Sequence, residues 1–490
     1  MSDAGALPSS VDEAAASDKI DGPLLRLTVV LLIGGIMGLL DMSIVNVGIE
    51  TLSRDLSAPL KTVEWVTTAY LLALSAAVPF AGWALDRFGG RRIWLSGLAV
   101  FMVGSALCAL AWNVDSLIAF RVLQGVGAGL LEPTVLTLLT RAAGPARAGK
   151  AMGILGVSLT LGPILGPVLG GVILGNFDWR WMFLINIPVG LIALVLALRV
   201  VPADLPGQGA PAKLDTVGIV LLCPAFVAIV YGLSQASDGT GFGAPRVIAG
   251  LVLGVVLLAA YVLYALRASA PLLDIRLFAN RGVAGGVLAV FLNAFLLFSL
   301  LLLIPLYYQL LRGHGVMEAG LLLVPQGFGG WVSMPISGVL YDKIGARVII
   351  PIGALFTVLG LAGFAVFGAN ANLALLILAS VVTGFGLGAI AAPAMSSAFG
   401  SVPAELVPSA TAAVYLGNEI GGSLGLAVAT LLFQNLGRSH SVVSSFHGTF
   451  GYLIPVAVLV AAAGLVVPRL NAARAASAQA AAPVEPAQVL

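Results

Sequence analysis

The chain has 490 residues, of which 59% are hydrophobic and 9% charged, with a formal net charge of +2. Soluble globular domains carry about 25% charged residues, so the composition excludes a soluble fold and leaves an integral membrane protein, all α-helical in its spans. Two cysteines, Cys108 and Cys223, both inside apolar stretches, exclude a disulfide framework, and no Cys/His/Asp spacing suggests a metal site.

Residues 1–22 are Ala/Ser-rich with mixed charge and lack a cationic segment leading into an apolar run. They read as a disordered tail rather than a cleaved signal. A bilayer span needs about 20 apolar residues. Fourteen stretches qualify: 27–48, 63–84, 93–112, 116–138, 151–174, 181–201, 216–235, 247–267, 283–309, 318–340, 347–367, 373–397, 407–434 and 449–468. The Pro/Gly-rich segment 202–213 is the expected linker. The chain then divides into a tail (1–26), a six-helix half (27–201), a linker with a two-helix insert (202–282), a second six-helix half (283–468) and a second tail (469–490).

Basic residues set the orientation. With the N-terminus cytoplasmic, seventeen lysines and arginines fall in inner segments and six in outer ones, with Arg121 inside a span. Both termini are therefore expected in the cytoplasm, in the cell's inner membrane.

An internal repeat runs through the chain. Gly82-Trp-Ala-Leu-Asp86-Arg-Phe-Gly89-Gly-Arg91 returns as Gly338-Val-Leu-Tyr-Asp342-Lys-Ile-Gly345-Ala-Arg347, a shift of 256. Gly125-Val-Gly-Ala-Gly129 returns as Gly384-Phe-Gly-Leu-Gly388, a shift of 259. Both copies of the first motif fall on the cytoplasmic side, so the repeat is parallel. Repeated halves with a site between them are a transporter signature. In the first loop Asp86 is expected to cap a neighbouring helix or to pair with Arg91 or Arg92.

The fourth span carries Arg121 and Glu132, eleven residues apart and so nearly on one face. A charge in hydrocarbon costs at least ~2.5–3.5 kcal/mol on insertion scales, which points to a polar cavity or an ion pathway. Asp41 and Arg121 both fall in the outer half of their spans, so a pair is geometrically feasible. Pairing lowers the cost of burying both. Glu132 lies deeper toward the cytoplasm, before Pro133, and Glu419 lies mid-span in the thirteenth span. Each acid also has a plain structural reading, as a hydrogen-bonding group in a local polar pocket. The fifth span is dense in glycine and proline: Gly153, Gly162, Pro163, Gly166, Pro167, Gly170 and Gly171. Glycine there lets a partner helix pack backbone to backbone.

These motifs together resemble the major facilitator superfamily, in particular its fourteen-span drug:proton antiporters. The loop 82–92 is similar to the superfamily's signature between spans two and three. Phe120-Arg121-Val-Leu-Gln124-Gly125-Val-Gly127 resembles its span-four motif, and span five resembles the antiporter motif. Leu40-Asp41-Met-Ser-Ile-Val-Asn46-Val47 and Trp179-Arg-Trp-Met-Phe-Leu-Ile-Asn186-Ile-Pro188 resemble the family's first and sixth spans. The chain departs from the pattern at Gly90, Ala84, residues 48–50 and Glu132.

The resemblance implies the major facilitator fold and export of hydrophobic, cationic compounds in exchange for protons. It implies proton coupling at Asp41 and Arg121, to which Glu419 is added from its mid-span position. Substrate contact is expected of Glu132, Gln124, Asn293, Tyr307, Tyr308 and Gln326, with Tyr70 among other candidate cavity aromatics. Conformational switching is expected of Asp86, Arg91, Arg92, Asp342 and Arg347. The antiporter-motif helix comprises Gly153, Gly162, Gly166, Pro167, Gly170 and Gly171. No catalytic constellation and no phosphate-binding loop is visible, so neither an enzyme nor an ATP-driven pump is expected, and no cofactor. The expected partners are a small hydrophobic substrate, protons and the bilayer, with no nucleic acid and a monomeric chain. An exporter of an endogenous peptide, lipid or antibiotic is the alternative, ahead of a non-transporting membrane protein.

Overall fold

The computed structural model describes residues 22–143, 147, 165–166, 169–202, 204, 214–236, 241–269, 271–366, 371–403, 406–439 and 441–469. Among them the regular elements are helical and no strand is present. The first bundle contains α1 (Gly22–Val47), α2 (Ile49–Asp55), α3 (Leu60–Phe88), α4 (Gly90–Ala109), α5 (Val114–Ala143), α6 (Trp181–Leu184) and α7 (Asn186–Val200). A hairpin follows, α8 (Thr216–Gln235) and α9 (Pro245–Ala265). The second bundle holds α10 (Arg281–Arg312), α11 (Val316–Leu321), α12 (Val324–Ile344), α13 (Ala346–Val366), α14 (Leu373–Gly400), α15 (Val407–Ser439) and α16 (Val442–Val466).

Apolar sequence with few charges makes these segments helical, because hydrocarbon offers no partner for a free backbone amide. Polar caps set several starts. Asp215 Oδ1 accepts from Gly218 N at 2.7 Å, Asn280 Oδ1 from Gly282 N at 2.8 Å and Asn372 Oδ1 from Ala374 N at 2.9 Å. α1 starts at Gly22, five residues inside the expected tail, with Pro23 in its first turn, where a missing N–H costs nothing.

Twelve helices among the described residues are long and apolar enough to cross a bilayer, α6 and α7 counting together as Trp181–Val200. Two of the fourteen expected spans are not in that number. Residues 151–164 lie outside the described residues, and with them Gly153 and Gly162; Pro167 lies outside as well. The stretch 318–340 is broken after Leu321, and the chain restarts as α12 with Pro325 in its first turn. α12 has the length of a span, 21 residues, but Gln326, Ser333, Pro335 and Ser337 leave it less apolar than the twelve.

The repeat is visible in the packing as well as in the sequence. α3 packs on α5 and α4 on α5, as α12 packs on α14 and α13 on α14. Glycines set each register. Gly125 lies against the carbonyl of Tyr70 and Gly129 against that of Leu74, as Gly384 lies against the carbonyl of Gln326 and Gly388 against that of Gly330. Gly97 meets Gly127 as Gly353 meets Gly386, and Gly104 meets Gln124 as Gly360 meets Thr383. At each of these contacts except Gly97, where the fit is only tight, a Cβ would collide with backbone or packed side chain. Gly89 and Gly345 end α3 and α12 at φ of +91° and +80°, a left-handed turn that glycine alone enters readily.

α15 bridges the two bundles. It packs on α10 within its own bundle and on α3 and α5 of the other. The α8–α9 hairpin packs through α8 on α3 and α15, with Trp65 stacked on Tyr231 at 6.0 Å between ring centroids. Only 22% of the apolar window of α9 is buried in protein, against 67% for α5. α9 is thus peripheral and α5 central.

The loop signature is arranged differently from expectation. Asp86 Oδ1 pairs with Arg141 Nη2 at 3.2 Å, rather than with Arg91 or Arg92. The α4 N-terminus is capped from the linker: Asp204 accepts from Arg91 N at 3.0 Å and Arg92 N at 3.2 Å. The Arg91 guanidinium donates to Leu198 O at 2.9 Å, and Arg92 is exposed. Asp86 and the two arginines lie on consecutive helices divided by the Gly89 turn, which aims Asp86 at the end of α5. In the second copy Asp342 and Arg347 are half-buried at the α12–α13 turn.

Candidate functional site

Four helices of the first bundle each contribute polar groups to one sealed cluster. α1 supplies Asp41, α4 Ser105, α5 Arg121 and Gln124, and α7 Asn186. Asp41, Ser105, Arg121 and Gln124 are each 0% exposed. Arg121 Nη1 donates to Asp41 Oδ2 in a short ion pair and to Gln124 Oε1 at 2.8 Å. Asp41 Oδ1 accepts from Gln124 Nε2 at 2.8 Å and from Asn186 Nδ2 at 2.7 Å. Arg121 Nε donates to the carbonyl of Val66 at 3.1 Å. Ser105 Oγ accepts from Gln124 Nε2 and Asn186 Nδ2 and donates to Phe183 O at 2.9 Å. The guanidinium lies over the Tyr70 ring, 4.0 Å from its centroid, an attractive contact for a desolvated cation. The charges are therefore paired and stacked, with Arg121 Nη2 left without a hydrogen-bond partner among the described residues, and pairing is what lets a buried charge be tolerated.

A cavity lies next to this cluster, between the bundles. It holds about 640 Å³ counting its open mouth. α1 contributes Leu32, Gly35, Ile36 and Leu39, and α5 contributes Glu132, Val135 and Leu136. α10, α14 and α15 contribute Val290, Met395, Val414, Tyr415 and Asn418. Glu132 is the single charged group of this lining. The Tyr415 hydroxyl donates to Glu132 Oε2, a short contact from one bundle to the other. Thr137 Oγ1 and Thr411 Oγ1, 3.3 Å apart, form a second such contact between α5 and α15. Glu419, next to Asn418 in sequence, lies within electrostatic reach of Glu132.

Tyr70 connects cluster and cavity. Its ring covers Arg121, and its hydroxyl donates to Gly38 O at 3.4 Å. A Cβ at Gly38 would stand 2.7 Å from Glu132 Oε1. The absent side chain lets α5 and α3 approach α1 at the floor of the cavity.

Several residues expected to touch substrate are elsewhere. Gln124 is sealed inside the ion-pair cluster, because its position on α5 faces α4 and α1. Tyr307 packs edge-on against Phe364, Phe446 and Phe450 in an aromatic core of the second bundle. Tyr308 meets Tyr307 and His314. Asn293 and Gln326 are buried and outside the cavity lining, though Asn293 is one turn from Val290. Gly166 and Gly170 pack against Ser43 and Val47 of α1, whereas Gly171 has open space. Sequence reasoning did not single out Ser105, Tyr415 or Asn418, and took Asn186 only as part of a motif. Polar residues inside apolar spans were the available signal for all four.

Comparison with known proteins follows the same lines. The sequence profile of the Major Facilitator Superfamily matches residues 31–372 and 288–489. The chain is 37% identical over 419 residues to the multidrug resistance protein B homolog of Mycobacterium tuberculosis, covering 85% of this chain and 77% of that protein. It is 33% identical over 432 residues to the tetracenomycin C resistance and export protein of Streptomyces glaucescens, covering 87% and 79%. The fold matches the proton:xylose symporter XylE with a TM-score of 0.63 at 18% identity, over 91% of this chain and 96% of that one. With these matches and the paired bundles, the chain belongs to the major facilitator superfamily, as a multi-pass membrane transporter of the branch that includes multidrug and antibiotic efflux proteins.

Proposed function

We propose that the protein exports small hydrophobic, cationic compounds in exchange for protons, by alternating access of two six-helix halves, 27–201 and 283–468. The insert and linker occupy 202–282. In this reading the chain has fourteen spans, works as a monomer in the inner membrane and keeps both termini in the cytoplasm. The observation that carries it is the sealed Asp41–Arg121 cluster beside an apolar cavity with a single acidic group, Glu132.

Asp41 carries the proton. In a dry site the carboxylate is stable as an anion only with its counter-charge. A helix motion that withdraws Arg121 from Asp41 therefore requires Asp41 to take up a proton, and re-pairing expels it. Gln124 and Asn186 orient the carboxylate rather than touch substrate. Tyr70 relays the state of the pair to the cavity, since it touches Arg121 and the Gly38–Glu132 contact. Glu132 attracts the cationic end of a substrate, and Glu419 lends a second negative group from the other half. Asn293 and Gln326 stay candidates for contact with the rest of the compound; Tyr307 and Tyr308 act through packing. Asp86, Arg91, Arg92, Asp342 and Arg347 hold the helix ends that shift when the halves rock, and Gly166 and Gly170 of the antiporter-motif helix give α1 a close packing partner.

Purified protein in proteoliposomes under an imposed pH gradient tests the reading. Uptake of tetraphenylphosphonium driven by the gradient, with matching proton flux, is expected. Substrate movement that ignores the gradient, or proton coupling that survives Asp41→Asn, would refute it.

A further inference from the structure

The polar cluster of the first bundle has a counterpart in the second that is built without charge. The glycine contacts give the register. Tyr70 against Gly125 returns as Gln326 against Gly384, so Gln326 stands in the place of Tyr70. On the same register Ser380 and Thr383 take the places of Arg121 and Gln124. Gly166 against Ser43 returns as Gly425 against Phe295, which puts Asn293 in the place of Asp41. The contact of Gly35 with Val135 returns as Gly286 with Ala394 and agrees to within one residue.

The substitutions change what the site holds. Thr383 Oγ1 donates to its own helix, at 2.7 Å from Ala379 O. Ser380 Oγ and the Tyr308 hydroxyl are buried without a hydrogen-bond partner among the described residues. With a serine where the first bundle has an arginine, nothing reaches across to the two amides. Asn293 Oδ1 and both Oε1 and Nε2 of Gln326 have no hydrogen-bond partner among the described residues. The residues are 8% and 4% exposed. Unpaired buried amide atoms are rare and each calls for an explanation. Here three of them fall at the positions that match Asp41 and Tyr70, and Asn293 is one turn beyond the cavity residue Val290.

We infer that Asn293 and Gln326 form a neutral hydrogen-bonding subsite beyond the lined cavity, past Val290. It takes hydroxyl, amide or carbonyl groups on the uncharged part of a transported compound. An amide offers both donor and acceptor, so it pairs with any of these, and it does not titrate, so the subsite has no part in proton coupling. Glu132 on the opposite bundle takes the cationic part. The inference rests on the export reading above and adds the class of chemical group that the second half recognises.

The test compares two cations in proteoliposomes: tetraphenylphosphonium, which has no hydrogen-bonding group, and puromycin, which has hydroxyl and amide groups. Gln326→Leu and Asn293→Leu are each expected to raise the KM of puromycin relative to that of tetraphenylphosphonium by about threefold to tenfold, the worth of one uncharged hydrogen bond. Gln326→Asn, which keeps the amide, is expected to hold the ratio near the wild-type value. A ratio that does not move, or two KM values that rise together in every variant, overturns the subsite, as does a wild type that carries tetraphenylphosphonium and refuses puromycin. A water-only role gives a changed melting temperature with an unchanged ratio and overturns it as well. Wild-type protein that carries neither probe refutes the export reading itself. If Gln326→Leu does not accumulate in membranes, Asn293→Leu and Gln326→Met provide the same ratio.

Discussion

Asp41→Asn is the most informative perturbation of the ion-pair cluster, because it changes charge and hydrogen-bonding capacity while leaving shape intact. Both oxygens of Asp41 are acceptors: Oδ2 from Arg121, and Oδ1 from Gln124 and Asn186. An amide has one acceptor oxygen, so whichever way it turns, its NH₂ faces a donor. Arg121 is left as a fully buried cation without a counter-charge, retaining Gln124 Oε1, the Val66 carbonyl and the Tyr70 ring. Removing one partner of a buried pair costs about 3–5 kcal/mol, roughly two to four powers of ten in the folding equilibrium. The double variant Asp41→Asn/Arg121→Gln removes both charges and should recover much of that loss, since replacing a whole buried pair is often close to neutral. SDS-denaturation midpoints of purified protein, followed by tryptophan fluorescence, measure the stability. Proteoliposome proton flux is measured in parallel. The expected pattern is a large drop for the single variant, partial recovery for the double one, and no proton coupling in either. A single variant within about 0.5 kcal/mol of wild type, the range of an ordinary surface change, or a double variant no more stable than the single one, would refute the argument.

Further predictions concern other parts of the structure. Glu132→Gln should raise the KM for tetraphenylphosphonium about tenfold in transport assays, while Tyr415→Phe, which removes the hydroxyl donated to the same carboxylate, should lower it severalfold. Asp204→Ala removes the cap on the α4 amides of Arg91 and Arg92 and should cost about 1 kcal/mol, seen as a lower denaturation midpoint. Arg141→Gln breaks a pair whose side chains are 35% and 41% exposed, so it should change stability by less than about 1 kcal/mol; a larger drop would show that the Asp86 contact is not a surface pair. Gly384→Leu places a side chain into the Gln326 backbone and should abolish accumulation of folded protein in membranes, measured by fluorescence-detected size exclusion.

The sequence by itself determined that apolar helices make up the described chain and that its loop and glycine motifs recur. Those properties are local or counted along one axis: hydrophobic length marks a span, and rise per residue converts position into depth. Asp41 and Arg121 were expected at one level on that basis, and their contact follows once α1 and α5 pack. Tertiary structure decided what each polar group faces. Asp86 turned to Arg141, and the linker residue Asp204 took the α4 terminus that a neighbour in sequence was expected to cap. Gln124 joined the ion pair instead of the cavity, and Tyr307 went into an aromatic core. Tyr415 came to Glu132 from 283 residues away. A helix that is apolar on all sides gives little sign of its own rotation, because lipid and protein interior accept the same side chains. Rotation and pairing are set by where glycine lets backbones touch and by which buried donors find acceptors, and both depend on residues far apart in the chain.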